Sequence, residues 1–212
     1  MTSAFKITKP KMPSALSDGA FSQLEDDRLM MSRVSDCEIF GEERSNLCFD
    51  QVLFKNVTFS EISFQHMELT DCIFEKCDLS NADFSDAIIH RVEFNDCKLL
   101  GLNLSGATLS NALFQNCHAD FSAFGYGNFK QVKFKSCSLQ SADFYECKVK
   151  KIAFEYCDLN KANFVSTPLH GIDLSSCSFS KLSVSMELLE GCEVSSAQAI
   201  GFVQLLGLKI KE

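Results

Sequence analysis

Eleven cysteines and four histidines are the residues best suited to chemistry in this 212-residue chain, and their spacing argues against it. Zinc sites gather thiolates and imidazoles at short loop spacings. Here no CxxC occurs, and His66, His90, His118 and His170 are scattered. Ten cysteines share one phase of a five-residue pattern, with Cys48 the exception, and six stand twenty apart: Cys77, Cys97, Cys117, Cys137, Cys157 and Cys177. Side chains in such a ladder run parallel rather than toward each other. The count is odd, and the start MTSAFKITKPK has no apolar run of a secretory signal. Reduced thiols in a cytoplasmic protein are therefore expected, acting as small core residues. No nucleophile elbow, phosphate loop or paired-His motif appears, so neither an enzyme nor a cofactor or metal is expected.

The pattern that holds the cysteines runs far beyond them. From Phe49 to Val184, every fifth residue is Phe, Leu, Ile or Val, broken only at Ala119, and 15 of the 20 Phe lie in this series. Two residues earlier a second series is mostly small, as in Cys77, Ala82, Ala87, Cys97, Ala107 and Ala112. Neither a helical nor a strand period gives five. Two inward and three outward residues per five describe one side of a tube. Four sides make a coil of 20, and coils stack at the strand spacing of about 4.8 Å. Columns of like residues at spacing 20 test this, and the six cysteines form one. Phe54, Phe74, Phe94, Phe114, Phe134 and Phe154 form another.

Stacking sorts the outward charges by side. The side centred on Phe64, Phe84, Leu104, Phe124, Phe144 and Phe164 carries Asp83, Asp86, Asp143 and Glu146, with Tyr126 and Tyr145, and no Lys or Arg over seven coils. The side centred on Phe49, Leu69, Ile89, Leu109, Phe129, Val149 and Leu169 carries Arg91, Lys130, Lys148, Lys150 and Lys151. A net charge of -8 argues against binding nucleic acid through its phosphates and allows a basic protein partner.

Three segments follow: 1–46, an N-terminal segment and irregular first coil; 47–184, the regular β-helix; and 185–212, a C-terminal helix and strand. In the first, Val34, Cys37 and Ile39 keep the phase while Glu42 and Arg44 break it. KITKPKMPSAL, extended because of Pro10 and Pro13, is expected to cover the open N-terminal end. In the last, Ser195 with Gln198 fits a capping box and Gly207 a helix stop. Its longest apolar stretch, AIGFVQLLGL, is about half a membrane span, so no membrane association is expected. With only Gln198 and Gln204 polar, the helix has more apolar surface than one partner covers. A C2 dimer is expected through Ile200, Phe202, Val203, Leu205, Leu206, Leu208 and Ile210.

The phrases NADFS (81–85), QSADF (140–144) and KANFV (161–165) resemble the A(D/N)LXX motif of the pentapeptide repeat family. That resemblance implies an all-β fold, a right-handed quadrilateral β-helix, here with a short C-terminal helix. The ITKP start, CHADFSAF (117–124) and the ending SAQAIGFVQLLGLKIKE further resemble the Qnr-type members of Gram-positive bacteria. These protect type II topoisomerases from quinolones. The resemblance implies a dimeric acidic rod that imitates DNA and binds DNA gyrase or topoisomerase IV. The alternative is a general scaffold for another basic partner.

Overall fold

Almost every β-pairing joins a residue to the one twenty positions on. Ile89 faces Leu109, Phe94 faces Phe114, and Phe114 faces Phe134, all in parallel register. A computed structural model describes residues 5–24 and 26–205, and its strands form a parallel solenoid of about eight coils with one short helix at the C-terminal end. We number the four faces from the axis residues of coil 47–66: first Phe49, second Phe54, third Phe59, fourth Phe64.

The five-residue spacing has a backbone cause. The residue before most inward small residues turns the corner with positive φ, as at Asn81 (58°), Asp86 (58°), Asn111 (56°) and Asn116 (55°). Asn, Asp and Gly tolerate this left-handed region best. Between corners, backbone groups pair with the coils on either side, as where Asn103 N–H donates to Ala82 O (2.9 Å) and Leu104 N–H to Ala123 O (2.7 Å). The axis is dry and aromatic. On the second face, successive Phe rings from Phe54 to Phe134 stack with centroids 4.7, 4.8, 4.7 and 4.6 Å apart.

The cysteine column has a reason beyond size. It lies at the corner leaving the second face, where, from coil to coil through Cys157, the described residues show no turn N–H bonded to the axis Phe carbonyl. The thiol of the next coil lies within donating distance there, Cys77 Sγ of Phe54 O (3.4 Å), Cys97 of Phe74 O (3.5 Å), Cys117 of Phe94 O (3.3 Å) and Cys137 of Phe114 O (3.4 Å), its one proton shared between that carbonyl and the one two residues before the cysteine. Thr167 plays the same part with its hydroxyl toward Phe144 O (2.5 Å), whereas Ser122 Oγ donates to Leu99 O (2.6 Å), which also accepts the turn N–H of Leu102 (3.0 Å). All eleven cysteines are free thiols. Burial pushes the Cys72 thiol up to about 12 and those of Cys147 and Cys192 up to about 11.

The ends differ from expectation. Residues 27–46 form a coil laddered to the next, with Arg28–Met30 on Cys48–Asp50, Glu38–Phe40 on Thr58–Ser60, and Glu43 bridged to Ser63. Glu42 and Arg44 do not break it. Arg44 turns outward to Asp27 and Glu42, and Phe21 takes the vacated axis place, stacked 5.4 Å from Phe64. The end is therefore closed by residues 17–24, with Ser17–Asp18 paired to Ser32–Arg33. KITKPKMPSAL is extended as expected but does not cap. Its first half runs lengthwise along the corner between the first and second faces. Lys11 N–H donates to Asp71 Oδ1 (2.8 Å) and Thr8 N–H to Asn111 Oδ1 (3.0 Å), while Gln51 and Gln131 donate to the carbonyls of Lys11 (2.7 Å) and Lys6 (3.2 Å).

At the other end the repeat continues past Val184. Leu189, Cys192 and Val194 keep the phase and pack on the core, and Glu193 bridges Asp173. The capping box forms as expected: Gln198 N–H donates to Ser195 Oγ (3.3 Å) and Ser195 N–H to Gln198 Oε1 (2.7 Å). Gln198 does not mark the polar face of helix Ser196–Leu205. It is buried, and its Nε2 donates to the carbonyls of Leu174 (2.9 Å) and Cys177 (2.7 Å) at the C-terminal end of the tube.

Candidate interaction face

The four carboxylates of the fourth face do two different jobs. Asp83 and Asp143 occupy rungs of one bridged column, Ser63–Asp83–Asn103–Ala123–Asp143–Asn163. Asp83 accepts from Asn103 Nδ2 (2.7 Å), Gln65 Nε2 (2.8 Å) and Ser85 N–H (3.1 Å). Burial pushes its carboxyl up, but the donors Gln65, Ser85 and Ser63 outweigh that and hold it below the usual range. Asp143 likewise accepts from Asn163 Nδ2 (2.8 Å) and Tyr145 N–H (3.1 Å). The D/N of the repeat is thus a local bracket: its side chain ties down the N–H two residues on and links to the rung above or below. These two carboxylates are largely engaged within the rod.

Asp86 and Glu146 stand on the corner column His66–Asp86–Gly106–Tyr126–Glu146 and are exposed. They make no ion pair among the described residues. Gly106 leaves room for Asp86, since a Cβ there would sit 2.2 Å from its Oδ1. Tyr126 lies between them, 62% exposed, with its ring 5.5 Å from Tyr145 in an edge contact.

The residue that sequence reasoning missed is Phe121. It lies outside the Phe phase, at the opposite corner of the same coil as Tyr126, and is 66% exposed. Both aromatics hold positive φ, 59° and 60°, which bulky side chains rarely adopt. Between them the outward residues are only Ala123 and Gly125. The two exposed aromatics thus flank a stretch of small residues on this coil. A Phe out of phase was the available signal.

The expected dimer surface is divided. Ile200 is 50% exposed, whereas Phe202 packs on the chain's own Phe179 at 5.9 Å, and Val203 is half-buried. The side chain of Leu205 and all of Leu206, Leu208 and Ile210 lie outside the described residues, as does the expected stop at Gly207 and the strand after it. No helix of the described residues is long and apolar enough to cross a membrane, and no cluster among them could hold a metal ion.

YisX of Bacillus subtilis (strain 168), an uncharacterised protein, is 45% identical over 127 residues, 59% of this chain and 60% of its own length. The chain thus matches about three fifths of that relative. Among solved structures, a trypsin-treated form of QnrB1, a plasmid-mediated fluoroquinolone resistance protein, aligns with 85% of this chain and 100% of its own, at 15% identity and a TM-score of 0.47. HetL, a pentapeptide repeat protein involved in heterocyst differentiation regulation in Nostoc sp. strain PCC 7120, aligns with 78% of this chain and 86% of its own, at 14% identity and a TM-score of 0.27. The family model for the pentapeptide repeat region matches residues 47–124, 87–164 and 127–199. Together with the twenty-residue register, that match makes this chain a member of the pentapeptide repeat family.

Proposed function

We propose that this chain is a non-enzymatic docking rod that binds a type II topoisomerase, DNA gyrase or topoisomerase IV, as a DNA mimic and protects it from quinolones. The observation that carries the reading is the fourth face: no Lys or Arg from 62 to 66 and on each later coil to 182–186, with Asp86 and Glu146 exposed and Phe121 and Tyr126 at the rims. Carboxylates with no Lys or Arg between the corners steer a basic cleft onto the face, and Lys161, two coils beyond Phe121 on the same corner, is a cation at its rim. Exposed aromatics near the middle of such a face are the expected anchors. The excess of bases in 128–184, 8 against 5 acids, favours a second reading, a scaffold that places its acidic face on some other basic protein.

The test is gyrase supercoiling with ciprofloxacin across a titration of the protein. Rescue at low protein is expected, and Asp86→Lys with Glu146→Lys is expected to shift half-protection at least tenfold. Asp83 and Asp143 are left alone because they hold the ladder. Equal protection by the double variant would remove the face from the account. No rescue, with no salt-sensitive binding to gyrase, would leave the scaffold reading.

The homodimer belongs to the same proposal, with Ile200 at its centre. At micromolar protein, sedimentation velocity is expected to give a dimer, and Ile200→Glu a folded monomer. A dimer unchanged by Ile200→Glu would move the interface elsewhere.

A further inference from the structure

On the first and second faces the ladder opens once. In other coils the residue before the axis position donates back to the coil before, as Asn128 N–H does to Ala107 O (2.9 Å) and Lys148 N–H to Gly127 O (2.8 Å). The next in this series is Pro168, which has no N–H to give Cys147. Among the described residues no backbone hydrogen bond joins 148–155 to 168–175. Side chains make the remaining links: Thr167 Oγ1 accepts from Cys147 N–H (2.8 Å), Ser176 Oγ accepts from Tyr156 N–H (3.3 Å), and Cys177 Sγ donates to Phe154 O (3.5 Å). The strand Lys148–Glu155 also carries a bulge, its register to the preceding strand slipping at Lys130 so that Lys130 faces Lys151.

A cavity of about 640 Å³ lies in this gap, within the size range of ligand sites. Its apolar lining includes Val149, Ile152, Phe154 and Ile172, with Phe5 at the rim. Val149 is half-exposed, although the axis residues below it, Ile89, Leu109 and Phe129, are fully buried. Lys150 and Lys151 line the opening, with Lys148 beside them, and these three make no ion pair among the described residues. Lys133 is neutralised by Glu155 (2.5 Å), and Asp173 is the other acid at the cavity.

We infer that this gap is a strand-addition site for an extended acidic peptide segment of a partner protein. An open strand edge offers alternating donors and acceptors, which another extended chain complements. Unpaired lysines above an apolar floor select acidic residues alternating with apolar ones. The site is separate from the fourth face and stands whether or not a topoisomerase binds there.

Fluorescence anisotropy with a labelled Glu-Val-Glu-Val-Glu-Val-Glu peptide tests it on the full chain. Saturable binding is expected, at least tenfold weaker for the same peptide with Pro in place of Val, which cannot form a ladder. Lys150→Glu with Lys151→Glu is expected to weaken binding at least tenfold at unchanged circular dichroism. Pro168→Ala, which restores the missing N–H, is expected to weaken it similarly. Absence of binding, equal affinity for the proline peptide, or full affinity in either variant would overturn the inference.

Discussion

Phe114→Ala is expected to destabilise the protein by about 3–5 kcal/mol, the range for removing a fully buried Phe. The ring is fully buried and stacks at 4.7 Å on Phe94 and 4.6 Å on Phe134, with an edge contact to Phe124 at 6.0 Å. The size of the loss follows from the topology. Each coil of a solenoid touches only its neighbours, so a void at one rung weakens the interfaces on both sides and nothing more distant compensates. Urea unfolding monitored by far-ultraviolet circular dichroism is expected to shift to lower midpoint and to split, because the weakened coil divides the rod into two cooperative blocks. Phe114→Leu is expected to lose much less, since Leu104 already occupies such a place in the fourth-face column between Phe84 and Phe124. A Phe114→Ala protein with a wild-type midpoint and one transition would show that ring stacking contributes little to holding the coils.

That column is legible in the sequence, and the reason is physical. A residue at the axis has one permitted character, so Phe54 through Phe154 announce themselves by type and by spacing. The small position was equally plain, but its chemistry was not. Cysteine at spacing twenty signalled crowding, whereas the structure shows it also donating to a carbonyl that the corner turn leaves open. Outward residues have many permitted characters, so sequence sorted them by face and could not say which were engaged. Asp83 and Asp86 looked alike in the sequence. One is spent on Asn103 and Gln65, the other is exposed. Segments outside the period were hardest. Arg44 looked like a break because the period alone could not supply Phe21 from a distant stretch to fill its place. Gln198 looked like a polar face because only the tube's end shows the carbonyls of Leu174 and Cys177 awaiting a donor. The gap at Pro168 was written in one residue, yet its meaning needed the register that sets that residue against Cys147.

Asp71→Ala is the second change of large expected effect, and it joins the core to the N-terminal strap. Asp71 is 6% exposed at its side chain and forms a two-pronged pair with Arg91, Oδ1 to Nε and Oδ2 to a terminal nitrogen, both at 2.6 Å. Its Oδ1 also accepts from Lys11 N–H at 2.8 Å. Removing it strands Arg91, itself only 18% exposed, without a counter-charge. Breaking a buried pair this way costs about 3–5 kcal/mol, and the lower end is expected because Arg91 can regain some water. The strap should loosen with it. Trypsin must extract the carbonyls after Lys6 and Lys11, and these are the ones held by Gln131 and Gln51. Cleavage there is expected to be faster in Asp71→Ala than in the parent, while the coils stay resistant. The same pair sets an acid limit. Burial pushes the Asp71 carboxyl up, but Arg91, the Lys11 N–H and the nearby His90 outweigh it and hold it below the usual carboxylate range. A depressed carboxyl stabilises the fold fully above its unfolded value of about 3.9, and that contribution is lost as pH falls through the lower, folded value. Asp71→Asn is therefore expected to lose stability at neutral pH and to approach the parent as pH drops below about 4. A constant difference between the two across that window would mean that the ionised pair does not hold the strap corner.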